Sequence, residues 1–186
     1  MIERRELFKV LGATIMATSQ GAAQHDHGPP AAAVNIEDYA PRFFSNAQYR
    51  TIDRLTDIII PSDDQSPGAH AAGVRFYVDT VLHYADAKTQ QKWRSGLAAV
   101  EESARASFNK SFGECSIQEQ ERIVAVMATN ETNPSTELEL FFGLLKSLAV
   151  EAYSVSEVGL TRYFGYSGNT AIKEFLGCKH PEHQAI

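Results

Sequence analysis

Leu138-Glu-Leu-Phe-Phe-Gly-Leu-Leu-Lys-Ser-Leu-Ala149 is the most apolar stretch of a chain of 186 residues, and its spacing decides the fold class. Leu138, Phe141, Phe142, Leu145, Leu148 and Ala149 fall at i, i+3, i+4, i+7, i+10 and i+11. That is a wide stripe along one side of an α-helix. A stripe so broad must be covered from several directions, so this segment is expected to be the central helix of a bundle.

Working outward, the same period recurs. Upstream, Ser116-Ile-Gln-Glu119 is a capping box that opens a helix with Ile123, Val124 and Met127 turned inward. Trp93, Leu97, Val100, Ala104 and Phe108 line a longer helix that is expected to end near Phe112-Gly113. Val74, Tyr77, Val78, Val81 and Leu82 give the strongest helical period of all. Asn46 is expected to cap a helix carrying Ile52, Leu55 and Ile59, which stops at Pro61. The run Pro61-Ser-Asp-Asp-Gln-Ser-Pro-Gly68 is turn chemistry. Downstream, two short pieces are expected, around Glu157 to Phe164 and Thr170 to Leu176, the second capped by Asn169 and ended by Gly177. No stretch alternates with period two. The expected fold is all-α, a compact helical bundle with an irregular, aromatic and glycine-rich C-terminal segment.

Ten Phe, seven Tyr and one Trp in a chain that is 44% hydrophobic supply the apolar surface for a packed core. Seventeen Lys and Arg against 23 Asp and Glu give a net charge of −6, so the basic footprint of a nucleic-acid binder is absent.

The first residues carry an address. Arg4-Arg5-Glu6-Leu7-Phe8-Lys9 precedes a mildly apolar run, and Gly21 and Ala23 supply small residues for cleavage. The pattern resembles the twin-arginine export signal of bacteria, with Arg4, Arg5, Leu7, Phe8 and Lys9 as its marks. Val10 to Gln24 is free of charge, but fifteen residues make only about 22 Å of helix, short of the roughly 30 Å of a bilayer core. Residues 1–23 are therefore expected to be a signal peptide, residues 24–45 a flexible linker containing Pro29 and Pro30, and residues 46–186 the helical domain. Cleavage removes Arg4, Arg5, Lys9, Glu3 and Glu6, which shifts the net charge to −7. The expected compartment is the periplasm, and twin-arginine export moves cargo already folded, so the translocase is an expected partner.

Motifs for chemistry are missing. There is no Gly-x-Gly-x-x-Gly, P-loop, Gly-x-Ser-x-Gly, His-Glu-x-x-His or Cys-x-x-Cys-His. No catalytic, cofactor-binding or metal-binding residue is assigned, and no cofactor is expected in this chain. Its two cysteines, Cys115 and Cys178, lie 63 residues apart. An intrachain disulfide would contribute roughly 4 kcal/mol by chain entropy. A bond to a partner chain and two free thiols stay open beside it. A rival class is a free-standing periplasmic metal-binding protein using His25, His27, His180 and His183, with Cys178 as a soft ligand. An enzyme built on Glu157 and His180 is a third, without positive support in the sequence. Tyr163, Phe164, Tyr166, Asn169 and Phe175 sit among glycines without regular period. They can close the core of the bundle, meet a partner, or do both.

Leu55-Thr-Asp-Ile-Ile-Ile-Pro-Ser-Asp-Asp64 with Pro67-Gly-Ala69 and Gly73-Val74, then Ser156-Glu-Val-Gly159, Gly165-Tyr-Ser-Gly-Asn169 and Phe175-Leu-Gly-Cys-Lys-His-Pro-Glu-His183, resemble the gluconate 2-dehydrogenase subunit 3 family. The resemblance implies a small, non-catalytic subunit of a periplasmic sugar or sugar-acid dehydrogenase. It implies a large subunit of the glucose–methanol–choline type that holds FAD, and a cytochrome c subunit with haem c that passes electrons on. The small subunit would supply the export signal, escort and stabilise the flavoprotein, and reach the membrane through its partners. Related complexes oxidise gluconate, and others resemble glucoside 3-dehydrogenases.

Overall fold

The computed structural model describes residues 39–64 and 66–168. Five α-helices carry the fold: α1 (Asn46–Ile59), α2 (Val74–Tyr84), α3 (Ala87–Phe108), α4 (Ile117–Met127) and α5 (Glu137–Val155). A short 3-10 turn, Phe112–Glu114, joins α3 to α4, and a π-helical turn, Gly159–Tyr163, follows α5. Among the described residues there is no strand.

The helix starts are written in side chains. Ser45, Ser116 and Thr136 each accept from the backbone N–H three residues on, and Gln48, Glu119 and Glu139 reach back in return. The box at Ser116 is the expected one. At α1 the cap is Ser45 and not Asn46, which is already helical; both residue types cap well, and Gln48 settles the choice by pairing with Ser45. α3 ends at Phe108 on Asn109, which takes the left-handed conformation at φ 55°. Phe112 therefore belongs to the separate turn, where it is fully buried.

α5 is the central helix, packed against each of the other four. Phe141, Leu145 and Ala149 are sealed from solvent, while Leu138 and Leu148 are half-buried at the edge of the core. Trp93 meets Phe141 edge-on at 5.3 Å. α3 approaches this closely because residue 96 is glycine: a Cβ there would lie 2.1 Å from the Phe141 ring.

Two buried carboxylates tie irregular chain to these helices. Asp79 on α2 has no exposure, yet it accepts from the Tyr39 hydroxyl (2.6 Å) and the backbone N–H groups of Arg42 (2.8 Å), Phe43 (3.1 Å) and Phe44 (2.9 Å). Residues 39–45, given above to the linker, thus lie on the folded body, and Phe44 enters the core. Glu139 accepts from the backbone N–H of Ser135 and Thr136, from Asn130 and from the Ser135 hydroxyl. These bonds, that of the Ser135 N–H foremost, hold its pKa down to about 2.

The loop between α1 and α2 is fastened from α5. The Tyr153 hydroxyl donates to the Pro67 carbonyl at 2.8 Å and is hydrogen-bonded to Ser66. Gly68 lies so close to the Ile60–Ser62 backbone that a Cβ would fall 2.7 Å from the Ser62 nitrogen.

Candidate partner-binding surface

Beyond α5 the chain makes a hook. Ser156 closes the helix: its N–H and its hydroxyl both reach the Tyr153 carbonyl, and its Oγ accepts from Gly159 at 2.9 Å. The Phe164 N–H then donates to Gly159 at 3.0 Å and the Tyr166 N–H to Leu160 at 2.8 Å, so the turn is wider than α and doubles back. Only glycine fits at its start, since a Cβ on Gly159 would stand 1.9 Å from the Tyr153 carbonyl oxygen. Gly165 and Gly168 take φ of 66° and 92°, values that side chains disfavour.

The hook holds its aromatics outward. Tyr163 is 69% exposed, Phe164 59% and Tyr166 46%. Tyr163 and Phe164 pack edge-on against each other at 5.0 Å. Of the two uses open to these residues, exposure favours a surface: among the described residues they do not close the core. Asn169 and Phe175 lie outside the described residues, as do the export-signal residues, the terminal histidines and Cys178.

The apolar surface continues from the hook. Leu140, Leu144, Val150 and Val155 are exposed along α5, large apolar side chains set among the exposed Glu137, Ser147 and Glu151. Several large apolar side chains exposed on one helix mark a surface fit for a partner. Beside Val155 is a cavity of about 310 Å³ whose walls include Ala72, Phe76, Tyr77 and Val158. Its size suits a single large side chain, the form that interface anchors take. At its edge the Tyr77 hydroxyl donates to Glu151 at 2.8 Å, a bond that raises the tyrosine pKa.

Arg75 is buried and donates to Asp53 at 3.0 Å; burial works against its charge, but the bond and the charge of Asp53 outweigh it and the pKa is raised. His70, largely exposed, lies 2.9 Å from Asp53 and 2.7 Å from Arg75. Cys115 is a buried free thiol whose pKa burial pushes up. Among the described residues no three His, Cys, Asp or Glu side chains gather as a metal site, and no helix is long and apolar enough to cross a membrane.

A family model, that of gluconate 2-dehydrogenase subunit 3, matches residues 46–170. The chain belongs to this family. The match opens on the first residue of α1 and closes just past the hook, so the bundle and the exposed aromatics both lie within what defines gluconate 2-dehydrogenase subunit 3. Membership makes the chain an accessory subunit of a dehydrogenase complex, which is the setting in which exposed apolar side chains on α5 make physical sense. Neither a curated relative nor a solved structure matches the chain.

The sequence stripe that located α5 said nothing of Leu140, Leu144 or Val150, which stand off it. Their signal was present all the same, as leucines and a valine where a surface helix would place Lys, Glu or Gln. Asp79 gave less warning, being one acid among apolar neighbours. Its clue is phase, since it adjoins Val78 and lies four residues from Arg75 at the margin of the inward side.

Proposed function

We propose that this chain is the non-catalytic, export-signal-bearing subunit of a periplasmic FAD-dependent sugar or sugar-acid dehydrogenase. Its body docks the flavoprotein of the glucose–methanol–choline type and escorts it, folded, through the twin-arginine translocase. The observation that carries the reading is the hook after α5, with Tyr163, Phe164 and Tyr166 exposed following a helix that exposes Leu140, Leu144, Val150 and Val155, in a member of a dehydrogenase-subunit family. Large aromatics at the centre of a patch are what carry binding energy in protein interfaces.

In this reading the division of labour is complete. Arg4, Arg5, Leu7, Phe8 and Lys9 are read by the translocase; the flavoprotein holds FAD and oxidises gluconate, a related sugar acid or a glucoside; and a cytochrome c subunit carries electrons onward and brings the complex to the membrane. This chain supplies shape and address.

Two experiments test it in the native operon context. Replacing Arg4-Arg5 by Lys-Lys should leave both this chain and the flavoprotein in the cytoplasm, and a flavoprotein that still reaches the periplasm ends the escort reading. Tyr163→Ala with Phe164→Ala should cut co-purification of the flavoprotein by at least roughly 30-fold, the equivalent of about 2 kcal/mol for a hot-spot pair. Undiminished co-purification would remove the hook from the interface.

A further inference from the structure

A second concavity, of about 660 Å³, lies between α1, α3 and the 3-10 turn, and neither α5 nor the hook lines it. Its floor is apolar, with Leu97 and Phe112 buried beneath Ala47 and Ala98. Its rim is basic, which is unexpected in a chain of net charge −6: Arg50, Arg54 and Arg94 all face it.

The pairing around the rim is lopsided. Arg54 is committed, donating to Gln120 at 2.8 Å and to Asp57 at 3.1 Å. The two acids in the lining, Glu101 and Glu114, are turned to backbone: Glu101 accepts from the Phe112 N–H at 3.2 Å, and Glu114 from the N–H and hydroxyl of Ser111 at 3.0 and 2.7 Å. Neither makes an ion pair with a rim arginine. Arg94 lies over the Phe43 ring, 4.5 Å from its centre, and no carboxylate meets it or Arg50 among the described residues. Arg50 and Arg94 are both exposed. Two guanidinium forks therefore flank an apolar trough with their carboxylate-binding edges free.

We propose that this groove docks an acidic segment of a partner chain in which carboxylates alternate with apolar side chains. Carboxylates would pair with Arg50 and Arg94, and the apolar side chains would cover the exposed Ala47 and Ala98, above the buried Leu97 and Phe112. The floor decides between ligand classes: a small polyhydroxy acid brings charge for the rim but no apolar surface for the trough, whereas a peptide brings both. Since the groove shares no residue with the hook, the proposal is testable on this chain without the flavoprotein.

The test uses the purified full chain and a fluorescein-labelled peptide alternating Glu with Leu, followed by anisotropy. Binding is expected to weaken with added salt, to drop roughly tenfold for each of Arg50→Glu and Arg94→Glu, and to be untouched by Phe164→Ala. Both arginines are on the surface, and circular dichroism of the variants verifies that the helices persist. Absence of binding, unchanged binding in the double variant, or equal competition by gluconate or by an all-Glu peptide would overturn the proposal. So would sedimentation showing that the same arginine variants dissolve a self-associated form, which would make the occupant a second copy.

Discussion

Two aromatic triplets of similar makeup flank the bundle: Tyr39, Phe43 and Phe44 ahead of α1, and Tyr163, Phe164 and Tyr166 after α5. The first is taken into the fold. Tyr39 packs edge-on to Phe76 at 4.7 Å, Phe44 lies 6.4 Å from Trp93, and Asp79 gathers their backbone and hydroxyl donors. In the second, Tyr163 and Phe164 pack on each other and stand in solvent. Aromatic content does not separate these segments. What does is the acceptor beneath: three successive backbone N–H groups can be buried only if something accepts from them, and Asp79 does. The hook satisfies N–H groups internally through Gly159, Leu160 and Ser156, and Tyr163 and Phe164 face outward.

The contrast leads to a series of expected effects. Asp79→Ala should be the most damaging change described here, at about 3–5 kcal/mol, since it strands three backbone donors in the interior. Urea unfolding checks this, and a loss under about 1 kcal/mol would mean that residues 39–44 do not depend on the carboxylate. Gly159→Ala should cost about 1–3 kcal/mol, because the clash is with backbone and no rotamer can relieve it. Its larger effect should be on flavoprotein co-purification, through displacement of the hook.

Glu139 gives a pH test at the start of α5. Its carboxyl titrates near 2 when folded, against an ordinary value of 4.5. A lowered pKa stabilises the fold fully above about 4.5, and the contribution drains away as pH falls from there toward 2. Unfolding midpoints measured across that window should decline more steeply for the native chain than for Glu139→Gln; parallel curves would count against the bonds to Ser135 and Thr136. Smallest of all, Phe164→Ala should alter stability by no more than about 0.5 kcal/mol, in contrast to its effect on partner binding. A large loss of stability would place Phe164 with the buried triplet after all.

Much of the fold was legible because helix faces and caps are local. Val74, Val78 and Leu82 repeat on one turn after another, and Ser116 with Glu119 marks a start within four residues. What lay beyond reach depends on pairs far apart in the chain. Asp79 recognises backbone 35 to 37 residues upstream, and backbone N–H groups leave no trace in composition. The hook was visible as a cluster of aromatics and glycines, but its outward posture rests on the clash that forbids a Cβ at Gly159 against Tyr153. The arginine groove is likewise built from α1, α3 and the 3-10 turn, whose spacing in sequence gives no hint that Arg50 and Arg94 share a rim.

The Asp79 clamp also has a mechanical side. Tension applied to the chain ahead of Tyr39 falls on a segment whose hydrogen bonds converge on one carboxylate, four of them ending on two oxygens, beside the packing of Tyr39 on Phe76. Bonds that share an acceptor bear load together and give way together, so the segment should hold rigidly and then release in one step. Behind it Phe44 is seated in the core beside Trp93, and α1 begins two residues later. Resistance of the bundle to being pulled from its N-terminal side is thus a question of unfolding rate, to which one residue of α2 contributes four bonds at once.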